Sequence, residues 1–303
     1  MSPTSRDPRR QGFGFGLALP ATAWLVVFFL VPFYVVVSIA FGTVDPVFRA
    51  PVPAWNPADW RTEQFTTVLG RLAGPDGFYG PAIVRTVVYV LVAVAICLVV
   101  AYPVAWFVAR HAGRRRGLLL ALIVAPFWIS YMMRMLAWVN LLSDDGLVNR
   151  AITLGGLLPT GVSWLSGRPV TVVLGLVYGY VPYMILPMFA ALDRISPALI
   201  EAARDLGAGR VETFRRVVLP MSVPGVAAGL VLVALPMTGD YFTNDLLSGS
   251  PRTAMLGNLV NSAVGNPTQA GQAGALVLLL VGALTLPMVL YVRSARRDGG
   301  VAS

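Results

Sequence analysis

The chain contains no lysine, one cysteine, one histidine and few charges of any sign. Its 303 residues are 56% hydrophobic and only 12% charged, which excludes an ordinary soluble domain and places it among integral membrane proteins. A lone Cys97, set within an apolar run, excludes a disulfide framework. Cys97 and His111 together cannot build a metal site. No Gly-rich loop ending in Lys-Ser/Thr occurs, so an ATP-driven process would need its ATPase on another chain. The His/Asp/Glu sets required by intramembrane catalysis are missing too, so no catalytic residue, cofactor or metal is assigned.

What the chain has in abundance is long apolar runs. Six are long enough to cross about 30 Å of hydrocarbon, near 17–41, 81–109, 118–141, 170–192, 221–241 and 272–292. The first follows Arg6, Arg9 and Arg10 as a signal peptide would, but its run is too long and no small-residue cleavage site follows. It reads as a retained first helix. The expected organisation is a basic tail over 1–16, a membrane domain over 17–292 with a polar loop at 193–220, and a tail over 293–303.

The formal charge of +9 could suggest nucleic acid, but its distribution assigns it to topology. Fifteen of the 23 basic residues, all arginine, fall on the set of loops that includes both ends of the chain. Seven (Arg49, Arg61, Arg71, Arg85, Arg150, Arg168 and Arg252) fall on the opposite set, and Arg134 lies within a span. The positive-inside rule then puts both termini and the 193–220 loop in the cytoplasm. No nucleic-acid partner is implied. Trp55 and Trp60, in the long outside loop at 42–80, suit the membrane interface.

The most informative polar stretch is EAARDLGAGRVETFRRVVLP, Glu201 to Pro220. Ser196-Pro197 is a helix-start signal, a capping side chain followed by a proline at the first turn. Leu199, Ala202, Ala203 and Leu206 share a helical face, and Gly207 is placed to end that helix in a left-handed conformation. A second short helix from Arg210 would carry Val211, Phe214 and Val218 on one face, with Pro220 closing it. The spacing Glu201-Ala202-Ala203, three residues, Gly207, nine residues, Val217-x-Leu219-Pro220 resembles the cytoplasmic loop by which permeases of ABC importers contact their ATPase subunits.

Inside the spans, Arg134 stands about sixteen residues into the third, roughly 24 Å from the cytoplasmic edge and so in the outer half. Asp240 stands at similar depth in the fifth. Intramembrane charges are costly and normally face the bundle interior or water. The two either pair or line a substrate path. Trp128, Tyr131, Tyr178, Tyr180, Tyr183 and Tyr241 occupy the third to fifth spans, which Pro126, Pro182, Pro187 and Pro236 interrupt. Aromatic faces attract organic cations by about 0.5–2 kcal/mol each. Asp240, Tyr241, Trp128, Tyr183 and Arg134 are the candidate path residues.

The stretches AYPVAWFVA (101–109), PFWISYMMRM (126–135), GLVYGYVPYMILPMF (175–189) and PGVAAGLVLVALPMTGDYFTNDLLSG (224–249), with LGN at 256–258, resemble the first permease subunit of spermidine/putrescine importers. The resemblance covers most of 80–290. It implies an all-α type I ABC importer permease with six transmembrane helices in a bacterial inner membrane. It also implies an ABC ATPase dimer, a second and non-identical permease, and an extracytoplasmic substrate-binding protein as partners, besides membrane lipid. A polyamine is the cargo it implies; an aminophosphonate or other small solute is the alternative. A stand-alone secondary transporter would need an inverted repeat, and none is visible.

Overall fold

The computed structural model describes residues 19–73, 77–156 and 160–299. The basic tail read over 1–16 and residues 300–303 of the C-terminal tail lie outside them. Among the described residues, five helices are long and apolar enough to cross a membrane, and six if a sharply bent pair is one span.

The described residues divide into two compact units, one within 19–73 and 262–281, the other within 77–261 and 282–299. In the first, α1 (Leu19–Ala40) leads into a small antiparallel hairpin, β1 (Thr43–Val44) against β2 (Pro51–Val52). Asp45 holds the hairpin turn by accepting the N–H groups of Val47 and Phe48 at 2.8 Å. Then α2 (Glu63–Ala73) follows, so the loop expected at 42–80 carries structure of its own. Phe41 stacks on Trp60 at 4.5 Å and tilts onto Phe65 at 4.7 Å, while Trp60 donates its indole N–H to the Ala54 carbonyl. Trp55 is half exposed and Trp60 is packed on one face.

The second unit is a three-helix core: α3 (Gly80–Arg110), α7 (Pro169–Asp193) and α9 (Arg210–Thr238). Ala93, Cys97, Ala101 and Ala105 recur every fourth residue of α3 and are fully buried. Small residues at that spacing let helix backbones approach closely, which matters in lipid because apolar burial alone does not drive helices together. From α7 and α9, Leu176, Met184, Met188, Leu192, Val233 and Met237 fill the same core. Gly225 of α9 lies so close to α7 that an added Cβ would fall 2.3 Å from Ala191 Cβ. The last helix, α12 (Ala270–Gly299), begins in the first unit and ends in the second.

The third span, expected at 118–141 with an interruption at Pro126, is sharply bent. α4 (Arg116–Val124) runs into a 3-10 turn at Ala125–Trp128, and α5 (Tyr131–Leu142) leaves it at 87°. Ile129 and Ser130 between them are extended. Pro126 at the start of the turn cannot continue the α-helical hydrogen bonding. The depth of about 24 Å expected for Arg134 therefore does not hold, because rise along α5 is not added to rise along α4. The remaining loops carry α6 (Leu147–Leu154), α8 (Pro197–Asp205), α10 (Phe242–Leu247) and α11 (Leu256–Val264).

Candidate functional site

Two clusters gather the residues singled out by sequence. At the 193–220 loop, Pro197 takes the first helical turn of α8 as expected, but Ser196 makes no side-chain capping bond. Gly207 ends α8 with φ +86°. Its N–H reaches the Arg204 carbonyl at 2.9 Å, and the Ala208 N–H reaches the Ala203 carbonyl at 3.0 Å. That pair of bonds is the Schellman closure, which satisfies carbonyls otherwise orphaned at a helix end.

Pro220 does not close a short second helix. α9 starts at Arg210 as expected, widens into a π turn at Phe214–Val218, and runs through Pro220 to Thr238. The Leu219 N–H reaches back five residues to the Phe214 carbonyl. The wide turn makes room for a proline ring that an α-helical turn would press against the preceding carbonyl.

One side of the loop packs inward. Ile200 and Phe214 pack against the core, Val218 is buried, and Phe214 meets the Tyr102 ring edge-on at 5.7 Å. The Tyr102 hydroxyl also bonds that of Ser222 at 2.9 Å. Val217 and Ala203 are half-buried; Glu201, Ala202, Gly207, Leu219 and Pro220 are exposed. Leu206 and Val211 project outward, 90% and 71% exposed. Sequence did not foresee the clasp at the loop's base. There Arg110 Nη2 donates to the carbonyls of Leu192 and Ile195 at 3.0 and 2.6 Å, capping the end of α7, and Arg116 pairs with Asp193 at 3.2 Å.

The second cluster lies where the chain breaks. Asp240 sits between α9 and α10 and is buried. Its Oδ2 accepts the hydroxyls of Tyr131 at 2.8 Å, Tyr180 at 3.1 Å and Thr243 at 2.9 Å; its Oδ1 accepts the Thr243 N–H at 2.9 Å. The last bond is the one a capping carboxylate makes at a helix start. Tyr131 opens α5 just after the 87° bend, and Tyr180 comes from α7. Gly179 of α7 admits the Tyr131 ring: a Cβ there would fall 2.7 Å from Cε2. One carboxylate thus joins the break in the third span to the break after the fifth.

Arg134 is buried on the same side of α5 but forms no ion pair with Asp240. Its guanidinium carbon lies 4.7 Å from the Phe127 ring centre and 5.3 Å from that of Tyr131, and its Nε has no hydrogen-bond partner among the described residues. Aromatic faces offset part of the cost of burying that cation. Tyr183, 44% exposed, meets Phe127 edge-on at 4.4 Å and completes the cluster. Two other candidate path residues stand apart: Trp128 is 89% exposed, and Tyr241 stacks on Phe242. Phe127 and Thr243 were not singled out by sequence. Asp240 three residues ahead of a threonine at a helix start is the signal that could have marked Thr243.

Residues 66–297 match the model of the family described as binding-protein-dependent transport system inner membrane component. The chain is 30% identical over 273 residues to the spermidine/putrescine transport system permease protein PotB of Escherichia coli (strain K12), covering 90% of this chain and 94% of that one. It is 32% identical to the PotB of Haemophilus influenzae, over 79% of each. Among solved structures, a chain of a bacterial alginate ABC transporter in complex with an alginate pentasaccharide-bound periplasmic protein superposes with a TM-score of 0.73 at 19% identity, over 96% of both chains. That likeness carries the fold: the type I permease architecture.

Proposed function

The chain belongs to the inner membrane components of binding-protein-dependent transport systems, and on that premise we propose that it is a polyamine-translocating permease subunit of an ATP-driven importer. It is a multi-pass protein of the bacterial inner membrane and a transport subunit rather than an enzyme. The observation that carries the cargo reading is the similarity to a spermidine/putrescine permease along nearly the whole of both chains. The loop of Glu201, Ala202, Ala203, Gly207, Val217, Leu219 and Pro220 is the surface proposed for an ABC ATPase dimer, with Leu206 and Val211 exposed beside it. A second, non-identical permease and an extracytoplasmic binding protein complete the assembly.

In this reading the aromatic walls of Phe127 and Tyr183 meet the cargo. Asp240 acts behind them, because its oxygens are already engaged by Tyr131, Tyr180 and Thr243. A second cargo class, an anionic or zwitterionic solute such as an aminophosphonate, is favoured by one observation: Arg134 is buried without a carboxylate partner among the described residues. The deciding experiment is ATP-driven uptake by the purified complex, with its own binding protein, into sealed vesicles. Spermidine or putrescine should accumulate and compete with each other. Accumulation of an aminophosphonate without polyamine would put the second class first, and uptake by this chain alone without ATP would make it a secondary transporter.

Arginine asymmetry supports a cytoplasmic location for both termini. In a Cys97→Ser background, a cysteine at position 60 should react with an impermeant maleimide in intact cells, and one at position 114 should not. The reverse pattern would put the Glu201 knob on the wrong side for any ATPase.

A further inference from the structure

An apolar groove of about 580 Å³ runs between α3 and α7, on a face that the aromatic cluster does not use. Val88, Val92 and Ile96 line one wall, Val170, Leu174 and Val177 the other, with Tyr89 at one end. From Val88 to Ile96 the α3 wall is about 12 Å long, just under the roughly 15 Å of one hydrocarbon leaflet.

The groove ends among arginines. Arg85 stands one helical turn before Tyr89 on the same face of α3. Arg168 immediately precedes the groove residue Pro169. Arg85 Nη1 donates to the Arg252 carbonyl at 2.8 Å, which brings the 249–253 loop to the same end. Gly167 lies against Ser250 so closely that an added Cβ would fall 2.8 Å from Ser250 Cβ. Arg85 and Arg168 therefore flank one end of the groove, and the loop that carries Arg252 is held at the same end. None of these arginines forms an ion pair among the described residues, and Arg85 Nε is buried without a partner. An apolar helix of a partner subunit would fill the groove but leave these charges unanswered. A binding protein could answer the charges but would not reach into hydrocarbon. A molecule with an apolar chain and an anionic head satisfies both.

We propose that the groove and its arginine rim hold one anionic phospholipid, an acyl chain between α3 and α7 and the phosphate at Arg85 and Arg168. The test is lipid retention by the assembled importer. Complex is extracted from vesicles of phosphatidylcholine mixed with phosphatidylglycerol, and bound lipid is counted by native mass spectrometry. Phosphatidylglycerol should be retained over phosphatidylcholine. Arg85→Gln and Arg168→Gln should each lower its retention about fivefold. Arg168 is exposed and its side chain makes no cap bond at the start of α7, so its replacement leaves the fold intact. Val92→Trp, which fills the groove, should expel the lipid with the arginines untouched. Equal retention of the two lipids, or unchanged retention in all three variants, overturns the proposal. So does a cysteine at position 92 that cross-links to the second permease in high yield, since the groove is then a subunit interface.

Discussion

Gly207→Val is expected to abolish uptake and cargo-stimulated ATP hydrolysis while the protein still inserts and assembles. The backbone at Gly207 holds φ +86°, a region in which a side chain costs about 1–2 kcal/mol and a β-branched one more. Nothing lies within 4 Å of a Cβ added there, so the penalty comes from the chain's own backbone rather than from crowding by neighbours. The cheapest relief is to open the two closing bonds, Gly207 N–H to Arg204 and Ala208 N–H to Ala203. That frays the last turn of α8 and moves Ala202 and Leu206, which face outward. A contact surface displaced by a few ångströms no longer matches its partner, and a loss of at least tenfold, about 1.4 kcal/mol, is the minimum expected. Gly207→Asn is the informative control, since asparagine tolerates the left-handed region and should keep most of the activity. Glu201→Lys probes the same surface by charge. Glu201 is exposed and forms no ion pair among the described residues, so any large effect of reversing it reports a contact outside this chain. Full cargo-stimulated hydrolysis in the Gly207→Val and Glu201→Lys complexes would remove the coupling assignment.

The parts of this fold that were legible in the sequence are those governed by local chemistry. Hydrophobic length located the spans to within a few residues, except at the third, which is two segments bent by 87°, and the fifth, whose helix reaches back to Arg210. Pro197 and Gly207 marked the ends of α8 because each acts through its own backbone. What was not legible depends on how distant segments meet. Pro126 and Pro220 look alike as helix punctuation, yet one accompanies an 87° bend and the other is absorbed by a π turn within a continuous helix. Proline removes one hydrogen bond and imposes one steric demand; the packing around it decides whether the chain turns or widens. The intramembrane charges show the same division. Sequence marked Arg134 and Asp240 as costly and offered pairing as one solution. The structure satisfies each separately, Arg134 with two aromatic faces and Asp240 with three side chains from three different elements. The small-residue stripe on α3 was in plain view, but only the burial of all four positions identifies it as a packing seam.

Asp240→Asn is expected to lower polyamine uptake at least tenfold, about 1.4 kcal/mol, without lowering the level of assembled complex. The amide keeps a carbonyl oxygen for the Thr243 N–H but presents an NH₂ where Oδ2 accepts from Tyr131, Tyr180 and Thr243. The hydroxyls can turn to accept, but two amide hydrogens serve only two of the three and the hydroxyl protons lose their common acceptor; each buried group left unsatisfied costs about 1–3 kcal/mol. The strain falls on the junction between the bend before Tyr131 and the break before α10, the two irregular backbones beside the proposed path. Irregular backbone at membrane depth is tolerated where it lines a cavity, and it is the natural place for a path to open and close. A positioning role and a cargo-contact role separate in the kinetics. If Asp240 holds the junction, Asn lowers maximal uptake of every cargo and leaves the half-saturating concentration nearly unchanged. Tyr180→Phe, which removes only the 3.1 Å donor, should then give a milder loss of the same kind. If Asp240 meets the cation directly, the half-saturating concentration rises for the more highly charged polyamine first, and Tyr180→Phe is silent. Arg134→Gln completes the comparison. Removing a buried positive charge should affect uptake of a cation less than uptake of an anion. Normal polyamine transport by Asp240→Asn would remove Asp240 from the mechanism, and an Arg134 essential for an anionic cargo would move the aminophosphonate reading ahead.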